Sequence, residues 1–146
     1  MYRNQIFWPV LVLVLMTLVI YVRLIKVKVR ELRAGRVNLE RRALHEDAWP
    51  DSVLQINNSI RNQFELPVLF YVLCIVLWEL HAVHALTLVA AAAFVLSRIA
   101  HAYVHLGSNY ITHRRRLFTA GWWVLMFMVV LVVWELGRRA AGLGPV

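Results

Sequence analysis

Four long apolar runs, separated by polar segments, constrain the fold of this chain more than any other feature of its sequence. The runs cover residues 6–25, 64–80, 86–106 and 117–136. A helix of about 20 residues, rising ~1.5 Å per residue, crosses the ~30 Å hydrocarbon core of a bilayer. The sequence therefore predicts an all-α membrane protein, a four-helix bundle that forms one domain over residues 1–146.

The composition of the chain excludes several classes of protein. Apolar residues make up 61% of the chain and its mean hydropathy is +0.63, which is too apolar for an ordinary soluble fold. The net charge of +8 could indicate nucleic acid, but the basic residues lie between the apolar runs, so we expect no such partner. They act instead as topology signals and as partners of membrane lipids. A single cysteine, Cys74, excludes an internal disulfide and a membrane dithiol oxidoreductase.

The distribution of Lys and Arg predicts the orientation of the four helices. One side of the membrane receives nine basic residues between positions 23 and 61, and a run of three after the third helix: Arg114, Arg115 and Arg116. The other side receives Arg3, Arg138 and Arg139. We therefore expect the first loop, residues 26–60, to be cytoplasmic and both termini to lie outside. The protein would be an integral multi-pass protein of a bacterial inner membrane.

Polar residues mark the start of the second predicted helix. Asn58, Asn62 and Glu65 are spaced four and three residues apart, which places them on one face of a helix. Arg61 lies one turn before Glu65, close enough for the two side chains to pair. Polar and charged groups inside a bilayer are costly, so these side chains need partners or a task.

A second polar stripe runs along the third predicted helix. It consists of Arg98, His101, His105, Asn109 and Thr112. At 100° per residue, all of them stay within roughly 60° of one line. An unpaired arginine deep in a bilayer costs at least ~2.5–3.5 kcal/mol, and arginine keeps its charge. Arg98 therefore needs a partner, which can be Glu65, a bound anion or both.

Together these side chains predict a cytoplasm-facing cleft between the second and third helices. The candidate ligand-binding residues are Asn58, Arg61, Asn62, Glu65, Arg98, His101 and His105. Arginines bind carboxylates, while amide and carboxylate groups bind amides and an ammonium, so the cleft suits a small anionic ligand. The alternative is a polar network that only holds the helices together or fixes an oligomer.

Two further patterns in the sequence do not predict a functional site. The histidines of the third helix are spaced as in some zinc and haem sites, but no third ligand is evident beyond Glu65, so no metal is predicted. The second and fourth helices both end in Trp-Glu-Leu, at positions 78–80 and 134–136. Aromatic residues at the membrane interface explain this echo without an internal repeat.

Two motifs in these helices resemble those of the MAPEG family, the membrane-associated proteins in eicosanoid and glutathione metabolism. The run from Asn62 to Phe70, NQFELPVLF, resembles the family's Asn-x-x-Glu motif with its following proline. The run from Arg98 to Tyr103, RIAHAY, resembles its Arg-x-x-His or Arg-x-x-Tyr motif in helix three. The size, the four spans and the basic first loop are similar too, so the resemblance covers essentially the whole chain.

The resemblance implies a homotrimer that binds glutathione between subunits near the cytoplasmic face. It would place Asn62, Glu65 and Arg98 in or beside the tripeptide site. The catalytic residue, which stabilises the thiolate, would be one of Arg114, Arg115 and Arg116. A cation beside a thiol favours its nucleophilic form. The implied activity is conjugation of glutathione to a small lipophilic substrate from the bilayer, or reduction of such a substrate with glutathione.

The chain departs from the family's pattern at three points. Asn58 stands where the best-characterised members have an arginine, and the arginine of this chain is Arg61. Pro67 follows Glu65 by two positions instead of three, and His105 occupies a tyrosine position. These departures indicate a divergent branch. Two other function classes therefore stay open: a non-catalytic membrane protein with the same bundle, and a small transporter in which Glu65 titrates.

Overall fold

The computed structural model describes residues 3–142 and consists of α-helices joined by short turns and by one longer connecting segment, with no strand in that range. The helices are α1 (Phe7–Arg33), α2 (Asp51–Arg61), α3 (Leu66–Glu79), α4 (Ala85–Leu106) and α5 (Ile111–Ala140). α2 and α3 follow one another across a 3-10 turn (Asn62–Phe64). The described chain thus has four helical segments long and apolar enough to cross a membrane, and the prediction of an all-α, four-span protein is confirmed.

The helices extend beyond the apolar runs that predicted them. α1 continues to Arg33 instead of ending near residue 25, and α5 begins at Ile111 instead of residue 117. The added turns are rich in Arg, Lys and Glu, which are good helix formers. The connecting segment between α1 and α2 therefore covers only residues 34–50, where the sequence predicted a loop over residues 26–60.

The second membrane span is interrupted at Glu65 instead of forming one helix. Pro67 has no N–H for the helical ladder, and in a continuous helix its ring would clash with the carbonyl four residues earlier. The chain forms a 3-10 turn over Asn62–Phe64 and a non-helical backbone at Glu65, with φ −100° and ψ −105°. α3 then starts with the proline in its first turn. The sequence predicted that Asn58, Asn62 and Glu65 share one face of a regular helix. Because of the interruption, they do not.

Close packing of α4 against α5 determines where the polar residues of α4 lie. Gly121 of α5 allows this contact, because a Cβ atom at that position would lie 2.8 Å from Ser97 Oγ and 3.7 Å from the Phe94 ring. Phe94 also stacks on Phe70 of α3, with ring centroids 4.5 Å apart. The side chain of Arg98 begins at the same contact, with its Cδ atom 3.8 Å from the added Cβ position.

Ion pairs hold the connecting segment against the end of α1. The Glu31 side chain is buried, and its carboxylate accepts bonds from Arg30 at 2.9 Å and from Arg36 at 2.6 Å. The same carboxylate raises the pKa of the Arg36 guanidinium. Farther along, Trp49 Nε1 donates to the Arg42 carbonyl at 3.2 Å. These contacts make the connecting segment part of the fold, with defined side-chain partners.

Candidate ligand-binding site

A cavity of about 450 Å³ opens where the break in the second span meets the end of α4 and the start of α5. Its lining residues are Asn62, His101, Ile111, Arg114, Arg115 and Phe118. The volume falls within the roughly 300–1,000 Å³ that small-molecule sites occupy. Among these residues, Asn62, His101, Arg114 and Arg115 are site residues that the sequence predicted.

Arg98 lies behind the wall of this cavity and is completely buried. Its Nη2 atom donates to the Asn62 carbonyl at 3.1 Å, and its guanidinium lies 5.7 Å from the centroid of the Phe118 ring. Its Nε and Nη1 atoms have no hydrogen-bond partner among the described residues. Glu65 is exposed and attracts the guanidinium, but the two form no ion pair in residues 3–142. The ion pair between Arg98 and Glu65, one of the partners that the sequence offered, is thus absent from the described residues.

Two buried histidines extend the polar wall along α4. His101 and His105 are 2% and 1% exposed, and their rings meet edge to face with centroids 5.7 Å apart. Within the described chain, Nδ1 of His101 and both ring nitrogens of His105 lack a hydrogen-bond partner. The His105 carbonyl accepts a bond from Gln55 Nε2 at 2.6 Å, which ties α2 to α4. The two imidazoles are held in place while their ring nitrogens stay unsatisfied.

The histidines have no companions for a metal site in the part of the chain that the structure describes. No group of three or more His, Cys, Asp or Glu side chains in residues 3–142 is arranged to hold a metal ion. The exposed carboxylate of Glu65 was the one further ligand that the sequence offered.

The turn between α4 and α5 positions Arg114. Its Nη1 atom donates to Asn109 Oδ1 at 2.7 Å, while its Nε atom is buried without a partner in the described residues. Asn109 has a left-handed φ of 54°, which asparagine adopts more readily than most residues. The sequence placed Asn109 on the polar stripe of the third helix, but α4 ends at Leu106 and Asn109 orients an arginine from the turn instead.

Phe118 is a wall residue that sequence reasoning missed. Its ring lies beside the guanidinium of Arg98 and 6.0 Å from the ring centroid of His101. An apolar residue in an apolar run carries no signal by itself. However, Phe118 follows Arg114 by four residues, and this spacing puts both on one face of α5. Its position one helical turn after a polar site residue is the sequence signal that could have identified Phe118 as a wall residue.

Apart from the buried Arg98 and His105, four predicted site residues lie outside the cavity wall. They are Asn58, Arg61, Glu65 and Arg116, and all four are exposed. Arg61 forms an ion pair with Glu46 of the connecting segment, not with Glu65 as predicted. The interruption at Glu65 removes the regular one-turn spacing on which that predicted pair depended.

Positive charge and unsatisfied nitrogens dominate the polar surroundings of the cavity. Arg114 and Arg115 line it, Arg98 lies behind it, and the described lining residues include no carboxylate. Around the cavity, six buried side-chain nitrogens lack a partner within residues 3–142; they belong to Arg98, His101, His105 and Arg114. A buried polar group left unpaired costs about 1–3 kcal/mol. The arrangement therefore favours an anionic ligand that is rich in oxygen acceptors.

Comparison with known proteins gives one match. The sequence pattern of the MAPEG family matches residues 6–134, a range that contains every residue of the cavity wall. No curated protein and no solved structure matches the chain. The family match covers most of the chain and includes all four membrane-crossing segments in whole or in large part.

Proposed function

The chain belongs to the MAPEG family, and from this premise we propose that it binds glutathione in the cavity and activates the glutathione thiol for reaction with lipophilic substrates. The observation that carries the proposal is the set of unpartnered nitrogens on Arg98, His101, His105 and Arg114. Glutathione brings two carboxylates and peptide carbonyls, which can accept from the guanidinium N–H groups and from the N–H nitrogen of each imidazole. Its binding would offset a desolvation cost of about 1–3 kcal/mol for each group it satisfies.

We assign the carboxylates of the tripeptide to the arginines. Arg98 keeps two unpartnered nitrogens, and Arg115 lines the cavity. Guanidinium groups bind carboxylates through two parallel bonds that are stronger than neutral ones. The side chain of Asn62, fixed by a 2.9 Å bond from its Nδ2 atom to the Asn58 carbonyl, lies in the same wall and would contact the peptide groups.

The thiol would be activated by Arg114 or Arg115. Both line the cavity, whereas Arg116, the third arginine of the run, is exposed and does not. A guanidinium beside the sulfur favours the thiolate, with the thiol proton released to water. In conjugation the thiolate forms an S–C bond with an electrophilic carbon, and the bond to the leaving group breaks with its electron pair. In reduction, two thiols convert a hydroperoxide into an alcohol and water and become a disulfide.

The lipophilic substrate would reach the thiol from the bilayer. An apolar groove of about 210 Å³ lies between α3 and α5, with Leu66, Leu69, Trp122 and Met126 among its lining residues. Trp122 follows the wall residue Phe118 by one turn of α5. A substrate held along this face of α5 would lie next to the polar cavity. This continuity supports a reaction between a water-soluble thiol and a membrane-soluble partner.

A homotrimer would complete the site. Asn58, Arg61 and Glu65 are exposed beside the break in the second span, so they are available to a neighbouring subunit. In a trimer with the connecting segment on the cytoplasmic side and both termini outside, they would contribute to glutathione binding from the adjacent protomer. The Glu65 carboxylate would then bind the ammonium of the tripeptide, a group that no described residue of the cavity wall can neutralise.

Calorimetry of the purified protein in detergent tests the proposal. Wild type should bind glutathione with a measurable heat at millimolar or lower concentrations. Arg114→Gln should weaken binding at least about tenfold, because a hydrogen bond to a charged group contributes about 1.5–3 kcal/mol. Arg116→Gln, in the same arginine run but outside the wall, is the matched control and should bind as wild type does.

Three outcomes would contradict the proposal in whole or in part. Wild-type protein that gives no heat with millimolar glutathione does not bind it. Equal losses in the Arg114 and Arg116 variants would show that general positive charge, and not this cavity, attracts the tripeptide. Binding without conjugation of a lipophilic aryl halide would leave the chain in the non-catalytic class and refute thiol activation.

A further inference from the structure

A second cavity, of about 280 Å³, lies at the opposite end of the helices from the glutathione site proposed above. It is formed where α3 ends, α4 begins and α5 ends. Part of its wall is apolar, with Leu77, Leu86 and Leu131, and part is polar, with His84, Glu135 and Arg138. The cavity therefore joins an apolar surface to groups of both charge signs near the ends of membrane-crossing helices.

Glu135 is the unusual member of this wall. The carboxylate belongs to the second Trp-Glu-Leu motif, and its residue is only 5% exposed. Glu79, in the first copy of the motif, is exposed and does not line the cavity. Interfacial tryptophans explain the shared aromatic residue but not a carboxylate withdrawn from water. Burial of a charge is expensive, so Glu135 needs compensation.

Part of that compensation comes from within α5. Arg139 Nε donates to Glu135 Oε1 at 3.2 Å, and a second nitrogen of Arg139 donates to the Leu80 carbonyl. The ion pair, within α5, offsets the charge of the carboxylate, and the bond to Leu80 ties α5 to the end of α3. Arg138 then adds a further positive charge on the cavity side. The wall as a whole thus contains one carboxylate and one guanidinium.

The first turn of α4 supplies the remaining polar group. The His84 side chain accepts the backbone N–H of Thr87, and the His84 N–H donates to Thr87 Oγ1 at 2.9 Å. This reciprocal capping fixes the imidazole beside the start of the helix. Trp134, which also lines the cavity, is 67% exposed and suits the headgroup level of a bilayer.

We infer that this cavity binds a phospholipid whose headgroup carries an ammonium with N–H donors, such as phosphatidylethanolamine. The phosphate would lie against Arg138 and His84, and the ammonium would donate to Glu135. An acyl chain would follow Leu77, Leu86 and Leu131 toward the bilayer. A choline headgroup has the same charge but no N–H, so it cannot make the bond to the carboxylate. The inference is independent of glutathione binding.

Lipid retention tests this assignment. Protein reconstituted in equimolar dioleoyl phosphatidylethanolamine and phosphatidylcholine is extracted, delipidated stepwise and weighed by native mass spectrometry. Wild type should retain the ethanolamine lipid over the choline lipid at least about tenfold, because a charge-assisted hydrogen bond contributes about 1.5–3 kcal/mol. Glu135→Gln should lose most of this preference. Glu79→Gln, the same change in the other Trp-Glu-Leu motif, should keep it.

A second pair of variants leaves the carboxylate intact. Leu86→Trp narrows the cavity at an exposed wall position, whereas Val89→Trp adds the same bulk to the same helix at a position outside the wall. Leu86→Trp should reduce retention of the ethanolamine lipid severalfold, and Val89→Trp should not. If Glu135→Gln fails to fold, this pair alone decides the result.

Three results would overturn the inference. Equal retention of the two lipids by wild type would show that the carboxylate does not select the headgroup. An unchanged preference in both Glu135→Gln and Leu86→Trp would locate the lipid elsewhere. Displacement of the retained lipid by millimolar glycerophosphoethanolamine would show that the cavity takes a soluble headgroup and not a lipid, whereas resistance to it is the expected result.

Discussion

Replacement of Arg98 by methionine should change stability and ligand binding in opposite directions. Arg98 is fully buried, with two unpartnered nitrogens and one bond to the Asn62 carbonyl. Each unpartnered group costs about 1–3 kcal/mol, and a bond to a charged group returns about 1.5–3 kcal/mol. Buried charges replaced by apolar residues of similar volume often leave stability equal or higher. We expect the free energy of unfolding of Arg98→Met to equal that of wild type or to exceed it by up to about 3 kcal/mol.

The same replacement should remove the stabilisation that bound glutathione gives. A ligand present at a hundred times its dissociation constant stabilises a protein by about 2.7 kcal/mol. Wild type should gain this amount, and Arg98→Met should gain almost none. The assay is thermal unfolding in one detergent, with and without glutathione. The exposed Arg116 supplies the control, since Arg116→Met should leave both quantities unchanged.

A loss of more than about 3 kcal/mol of stability in ligand-free Arg98→Met would refute this prediction, because such a loss is typical of breaking a buried paired charge. The guanidinium would then have a stabilising partner inside the fold, and the polar cluster would be a structural network. A full glutathione shift in this variant would equally separate Arg98 from the ligand.

Three further predictions concern packing, chemistry and the connecting segment. Gly121→Leu should lower the free energy of unfolding by about 1–3 kcal/mol, because the new side chain overpacks against Ser97. Gly137→Ala, which has open space at its Cβ position, should not lower it, and thermal unfolding measures both variants. Arg114→Lys should lower the rate of conjugation about 10²-fold or more while the protein stays folded, as loss of one preorganised charge-stabilising group does; an unchanged rate would exclude Arg114 as the thiolate partner. Glu31→Gln should increase amide hydrogen exchange across the connecting segment, because two ion pairs are lost, and unchanged exchange would show that they do not order it.

The sequence predicted those features that depend on local pattern and on the cost of charge in lipid. The four apolar runs gave the spans, since length and hydropathy are properties of a segment alone. The burial of Arg98, His101 and His105 followed from three polar residues on one line of an apolar helix. The sequence predicts that such a stripe faces the bundle, a neighbouring subunit or water, and the structure buries these three side chains in the bundle.

Features that depend on contacts between distant segments were not predictable in this way. Arg61 pairs with Glu46, and only the folded connecting segment brings that carboxylate within reach. Pro67 lies in the first turn of α3, and the interruption at Glu65 just before this helix changes the direction of the preceding polar residues. The burial of Glu135 and the exposure of Glu79, in identical local sequences, arise from packing alone.

A density map of the trimer or monomer purified in millimolar glutathione would test directly whether the buried nitrogens around the first cavity serve an anionic ligand. We predict density for the tripeptide between Arg98, His101 and Arg114, with at least one carboxylate within hydrogen-bond distance of a guanidinium. A cavity filled only by water or lipid, with Arg98 paired to a carboxylate of the protein itself, would contradict the proposed function.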